Sequence, residues 1–216
     1  MVVFKHIITD FFKIEFEEKF DVILTDPPYK AFNSSISVKD MLSKFNKITK
    51  ENAGIILFCN SLFKKDLFQN MPKSWKFHCE VIWDKGQNFK TWISWTKPLR
   101  HTEYILFFKK GKFKFDFWDG SIKEPYKRPQ FGGSLKKTDK KTLEYSKGVF
   151  DEYWHIPLER IRVHPTQKPQ EISLRLEKIV NANARGLKVL DCFAGTGNLL
   201  VAFEDAIAID NLGLEL

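Results

Sequence analysis

Phe20-Asp21-Val22-Ile23-Leu24-Thr25-Asp26-Pro27-Pro28-Tyr29 is the stretch on which the fold turns. Its first six residues form a short apolar run of the kind that makes a buried strand. The two prolines must end that strand, because neither can donate to a ladder and both fix φ near −65°. The result is a rigid turn at the carboxyl end of a strand, where open α/β sheets place their ligands. The turn offers the Asp26 carboxylate, the backbone carbonyls of Thr25 to Pro27 and the aromatic face of Tyr29. Those parts can grip a planar group that carries an amine. A plain strand followed by a Pro-Pro turn with an N-cap aspartate is the simpler alternative.

Working outward, Val2 to Thr9 reads as a first strand closed by Asp10. Downstream, Lys30 to Ser37 has loop chemistry, and Met41, Leu42, Phe45 and Ile48 recur at helical spacing up to about Asn52 and Gly54. Ile55 to Cys59 is the next buried strand, and Leu62 to Asn70 a short helix stopped by Pro72. Cys79 to Trp83 and Glu103 to Phe108 are further strands. Glu171 to Ala184 forms an amphipathic helix on Ile172, Leu176, Ile179 and Val180, ended by Gly186. Leu187 to Asp191 is a strand, a helix starts at Asn198, and Leu212 to Leu216 closes the sequence as a short strand. Strands alternating with helical patterns predict an α/β fold with a mostly parallel sheet covered on both faces.

The 216 residues suit a single domain, and 43% hydrophobic with 29% charged content is globular. Three cysteines, Cys59, Cys79 and Cys192, lack metal-ligand spacing, which points to reduced thiols in a cytosolic setting and excludes a disulfide scaffold. Met1 to Phe12 is interrupted by Lys5, His6 and Asp10 and is not a signal peptide. No apolar run reaches the roughly 20 residues of a membrane span. A net charge of +8 favours a polyanionic partner. From Gly111 to Lys147 ten basic residues stand against five acidic ones, interleaved with Phe113, Phe115, Phe117, Trp118, Tyr126 and Phe131. Such an insert is either a solvated surface segment or a nucleic-acid contact, with lysines on phosphates and rings on bases. Lys127, Arg128, Lys136 and Lys137 lead the second reading. They are joined by Lys90, Trp92, Trp95, Lys97 and Arg100 of the loop Asp84 to Arg100.

Two further constellations carry chemistry. Asp191 ends a strand and runs through Cys192, Phe193 and Ala194 into Gly195-Thr196-Gly197 at a helix opening, as a Rossmann-type sheet holds a nucleotide-like cofactor. The glycines allow close approach, and an acid at the end of the next strand, Glu215, takes ribose hydroxyls. The third glycine of the dinucleotide fingerprint is absent, which argues against NAD and FAD. The other constellation is His164-Pro165-Thr166-Gln167-Lys168-Pro169, a loop before the amphipathic helix. It presents a hydroxyl, an amide and an ammonium suited to a small carboxylate, with His164 as a hydrogen-bonded loop residue.

Together these motifs resemble the beta-class amino-DNA methyltransferases, which use S-adenosylmethionine. Asp26 to Tyr29 resembles their catalytic motif, His164 to Pro169 the motif preceding the first cofactor strand, and Asp191 to Gly197 their glycine loop. His101 to Lys110 resembles a further strand of the family. The resemblance covers nearly the whole sequence apart from Lys112 to Asp151, with the catalytic half first. It implies a circularly permuted, Rossmann-like sheet of seven strands, with residues 112–150 as an inserted target-recognition segment. It also implies that Asp10 lies near the cofactor's adenine. Cys192 stands where the family usually has proline, Asn198 where threonine is common, and the sequence ends after Glu215 where relatives continue into another helix.

The implied reaction moves a methyl group from S-adenosylmethionine to the exocyclic amine of a base flipped out of double-stranded DNA. Asp26 and the Pro27 carbonyl would hold the amine, Pro28 would stiffen the turn and Tyr29 would stack on the base. Thr166 and Lys168 would meet the cofactor's carboxylate, beside His164 and Gln167. An aspartate before Pro-Pro-Tyr favours adenine N6, since cytosine-N4 enzymes of the family often carry serine. Cytosine N4, RNA, and a non-catalytic DNA-binding remnant are the alternatives. Homodimerisation and a cognate restriction endonuclease come with the resemblance alone.

Overall fold

The computed structural model describes residues 5–29, 37–86, 101–117, 150–159, 167–181 and 186–210, with the backbone of 125–126 and 145–146. Strand β1 (Lys5–Ile8) leads to β2 (Phe20–Thr25), in which Val22, Ile23 and Leu24 have no exposed surface. Burying three such aliphatic side chains stabilises the fold by about 1.5–3 kcal/mol each. Helix α1 (Val38–Ile48) is capped by Ser37, whose hydroxyl accepts from the Asp40 amide at 3.2 Å. It runs directly into β3 (Thr49–Cys59), where Thr49 donates back to the Phe45 carbonyl at 2.7 Å. The strand therefore starts well before Ile55, because Thr49 already pairs with Phe20. Helix α2 (Ser61–Asn70) is capped by Asn60, and β4 (Lys76–Asp84) and β5 (Thr102–Lys110) follow. Inside the predicted insert, β6 (Pro125–Tyr126) and β7 (Tyr145–Ser146) pair antiparallel. Then come β8 (Tyr153–His155), α3 (Gln170–Asn181), β9 (Val189–Asp191) and β10 (Ala206–Asp210).

Eight of these strands form one sheet in the order β1-β10-β9-β2-β3-β5-β4-β8. Only β5 runs against its neighbours; every other pairing is parallel. Core residues of α1 and α2 cover one face and those of α3 the other, as the alternation of elements predicts. Among the described residues the sheet has eight strands, where seven were expected. Tyr153-Trp154-His155 adds an edge strand beyond β4, with Trp154 buried between two exposed neighbours.

Three other expectations are corrected. Phe113, Phe115 and Phe117 do not face outward towards bases. Phe115 is buried, and the rings of Phe115 and Phe117 lie 5.2 and 5.1 Å from Phe107. Their period of two lays them on the sheet, where apolar rings gain most. The helix expected from Asn198 is a single 3-10 turn, Asn198–Leu200. The strand following β9 is Ala206–Asp210, so the acid ending it within the structure is Asp210. The strand read over Leu212 to Leu216 lies outside the described residues. Among the described residues no helix is long and apolar enough to cross a membrane.

Candidate active site

Strands β2 and β9 are parallel neighbours, with Ile23 opposite Leu190, so the two chains leave the sheet together at its carboxyl edge. Asp26 leaves β2 there and Cys192 leaves β9. A hollow opens between them, with Asp26 on one side and Phe193, Ala194, Gly195 and Thr196 on the other. Gln167 and Lys168, just before α3, close a third side, and Asn198 and Leu199 complete it. The two halves of the sequence thus meet at one cavity, as the topological-switch rule for open α/β sheets requires.

The glycine loop is built for close approach. Gly195 and Gly197 have φ of 52° and 74°, a left-handed conformation that other residues adopt only under strain. Among the described residues, nothing beyond its chain neighbours lies within 4 Å of where a Cβ on Gly195 would stand, so the space beside its backbone is open to a ligand. Ala194 donates to the Ile209 carbonyl at 2.9 Å, which ties the loop to β10.

Asp191 anchors the loop from beneath. Its Oδ1 accepts from the Thr25 hydroxyl at 2.6 Å and the Phe193 amide at 3.1 Å, which joins β2 to the loop. Its Oδ2 is buried and has no hydrogen-bond partner among the described residues. Burial pushes the Asp191 carboxyl up to about 7. Between about pH 4 and 7 the folded carboxyl therefore keeps a proton that the unfolded chain has released, and stability falls as pH rises through that window. Asp191→Asn retains an acceptor for both Oδ1 bonds and removes the charge. At pH 8 the variant is expected to be more stable than the parent by up to about 4 kcal/mol, the difference closing near pH 4. Urea titrations at the two pH values measure this, and a pH-independent difference would contradict it.

Around Asp26 four charges alternate. Its Oδ1 accepts from the Tyr29 hydroxyl at 2.5 Å, and its Oδ2 from the Lys168 ammonium. Lys168 also lies 3.3 Å from Glu103 Oε2, and Glu103 accepts in turn from Lys85. Burial works against the charge on Lys168, but the two carboxylates outweigh it and hold its protonated form. Burial likewise opposes ionised Glu103, and the two lysines outweigh that too, so its carboxyl titrates below the usual range. Burial and then the Asp26 charge push the Tyr29 hydroxyl well above its ordinary range. The Tyr29 ring rests 5.1 Å from that of Phe63.

The structure thus gathers Asp26, Tyr29, Gln167, Lys168 and Phe193 to Thr196 at one site. Pro27 and Pro28 follow β2 without strand structure, as expected, and Gly197 caps the 3-10 turn. Asp10 ends β1 at the same edge, where Oδ1 accepts from the Phe12 amide at 2.9 Å, but it does not line the hollow. His164, Thr166 and Glu215 lie outside the described residues, as do Lys90, Trp92, Trp95, Lys97, Arg100, Lys127, Arg128, Lys136 and Lys137. Sequence reasoning missed Glu103 and Asn198 beside the hollow, and the strand that ends at Asp210. Glu103 was signalled by an acid at the head of an otherwise apolar strand. Asp210 was signalled by Ala206-Ile207-Ala208-Ile209, a run that stops at an acid.

The architecture matches solved structures at low sequence identity. The crystal structure of an M1.HpyAVI–SAM complex gives a TM-score of 0.63 at 21% identity, covering 97% of this chain and 94% of that one. The cytosine-N4-specific PvuII DNA methyltransferase gives 0.67 at 12% identity, covering 96% and 82%. Those likenesses establish the fold. In sequence, the chain is 27% identical over 198 residues to the type II methyltransferase M.HpaI of Haemophilus parainfluenzae. It is also 27% identical over 162 residues to the type II methyltransferase M1.MboII of Moraxella bovis. The matches cover 85% and 61% of this chain, and the chain spans 60% of the length of each of these curated relatives. Residues 20–206 match the family model N6_N4_Mtase, described as DNA methylase, and the chain belongs to that family.

Proposed function

We propose that the protein transfers a methyl group from S-adenosylmethionine to the N6 amine of adenine in double-stranded DNA. The observation that carries this reading is the meeting of Asp26 and the glycine loop at a single hollow. The residues fit the cofactor: open space beside Gly195 accepts a ligand against the backbone, and Phe193 to Thr196 line the hollow opposite Asp26. When bound, the sulfonium supplies an electrophilic methyl group, and the chain's residues make the amine able to accept it.

The exocyclic amine is a poor nucleophile because its lone pair is delocalised into the ring. Hydrogen bonds from its two N–H groups to the Asp26 carboxylate and the Pro27 carbonyl draw the nitrogen towards tetrahedral geometry and free that lone pair. Asp26 also offsets the positive charge that grows on nitrogen as the methyl arrives, an interaction stronger in the transition state than before it. The proton then lost from nitrogen passes to solvent. Holding both reactants in line supplies much of the remaining acceleration. The amine is shielded inside a duplex, so the base must be flipped out, at a cost of a few kcal/mol, with the Tyr29 ring available to stack on it.

For the ribose hydroxyls the chain offers two acids, Asp210 at the end of β10 and Glu215, the one the family resemblance assigns. Residues 112–150 and the loop up to Arg100 are proposed as the DNA readers. The aspartate before Pro-Pro-Tyr supports adenine over cytosine N4. Nucleosides from DNA and RNA incubated with the protein and labelled cofactor, separated by mass spectrometry, test the assignment. N6-methyladenine from DNA is the expected product. N4-methylcytosine, a methylated RNA nucleoside, or no incorporation would each reject it.

A further inference from the structure

We propose that Lys168 and Glu103 form a buried charge pair that positions the Asp26 carboxylate for the amine, so that Lys168 serves Asp26 rather than the carboxylate of the cofactor. The inference rests on the proposed reaction at Asp26 and adds two positioning residues to it.

The side chains of Lys168, Glu103 and Asp26 are 7%, 15% and 22% exposed, so their charges interact with little water between them. Lys168 reaches the site from the segment before α3, and its ammonium lies 5.1 Å from the Phe58 ring centroid and 5.5 Å from that of Trp83. An ammonium has three N–H donors. Asp26 accepts from it, Glu103 Oε2 lies 3.3 Å away as an ion pair, and its remaining surroundings include two aromatic faces. Bringing the cofactor's carboxylate onto the same nitrogen would set three anions around one buried cation, an arrangement that desolvation disfavours.

The pair also determines which way Asp26 points. Lys168 takes Oδ2 and Tyr29 takes Oδ1, which fixes the carboxylate plane from both sides. An ionised carboxylate has about four lone-pair sites, so capacity remains on each oxygen for an incoming N–H. Glu103 shares the ammonium and so prevents Lys168 from neutralising Asp26 outright. Lys85 balances Glu103 from its other side. The position of Lys168 is itself held by the cofactor loop, since Asn198 Nδ2 donates to the Lys168 carbonyl. Ser173 on α3 donates to the Leu199 carbonyl at 2.8 Å, which braces the same junction.

The test compares Lys168→Met, Glu103→Gln and the double variant by calorimetric titration of S-adenosylmethionine and by single-turnover methyl transfer at saturating cofactor. Lys168→Met is expected to slow transfer about a hundredfold while cofactor affinity stays within about threefold. Glu103→Gln is expected to slow it about tenfold. Combining them relieves the repulsion between the two carboxylates. The double variant should therefore transfer about tenfold faster than Lys168→Met alone, a coupling that independent structural damage would not produce. Because it removes a balanced pair, the double variant also stays informative if Lys168→Met fails to fold. Affinity loss with unchanged transfer would overturn the inference and return Lys168 to the cofactor, and a double variant no faster than Lys168→Met would overturn it as well. Should the parent protein transfer no methyl at all, the proposed function fails separately. The carboxyl 13C resonance of Asp26 then reads the pair directly: it shifts in both single variants, and an unmoved resonance overturns the inference.

Discussion

Replacing Asp26 by alanine is expected to lower methyl transfer by at least about 10³-fold, equivalent to about 4 kcal/mol of transition-state stabilisation. Among the described residues lining the hollow, this carboxylate is the one that can both accept from the amine and offset charge developing on its nitrogen. Strand β2 and the prolines hold it at the sheet's carboxyl edge. The backbone of Phe193 to Thr196 forms the opposite wall, so cofactor affinity should stay within about tenfold. The informative comparison is therefore transfer rate against calorimetric affinity in the same preparation. Asp26→Asn retains the shape and removes the charge, and its residual rate separates electrostatics from geometry. Near-parental turnover in either variant would remove Asp26 from the mechanism.

Gly195→Val is expected to have the opposite profile, with cofactor affinity falling about a hundredfold and the fold surviving. At φ of 52° a β-branched residue is strained by about 1–2 kcal/mol, which most domains tolerate. Among the described residues, nothing beyond its chain neighbours lies within 4 Å of the new Cβ, so the substitution meets no packed side chain there. The branched side chain would instead occupy space that the account gives to the cofactor. Calorimetric titration and a thermal melt together measure the two effects. Unchanged affinity beside a shifted melting temperature would place the cofactor elsewhere.

Much of this arrangement was legible in the sequence because local chemistry dictated it. Two prolines can end a strand in few ways, and Asp26 had to emerge at a sheet edge. The strand leading into Gly195 and Gly197 required the left-handed backbone that both glycines adopt. The helices α1, α2 and α3 announced themselves by apolar spacing, and each begins within about two residues of its expected start. What escaped depended on contacts between distant segments. Thr49 to Asn52 read as the end of the helix, yet pairing with Phe20 draws Thr49 into β3. Phe113, Phe115 and Phe117 looked like part of a basic, base-stacking insert until the sheet supplied Phe107 for them to pack on. Lys168 looked like a ligand for a small carboxylate. The structure supplies two protein carboxylates, Asp26 and Glu103, from 142 and 65 residues away in the sequence. The strand directly after β9, the alternating Ala206 to Asp210, was overlooked, and the strand read over Leu212 to Leu216 lies outside the described residues.

The central claim is that a methyl donor bound against the glycine loop faces an amine held by Asp26. A crystal structure of the protein with S-adenosylmethionine measures it most directly. A methyl group poised for transfer lies about 3–3.5 Å from the amine nitrogen, which in turn lies about 2.9 Å from its acceptor. The account therefore predicts the methyl carbon within about 6–7 Å of the Asp26 carboxylate, with the cofactor's methionine portion against Phe193 to Thr196. A cofactor bound away from that loop, or one whose methyl group points away from Asp26, would contradict it.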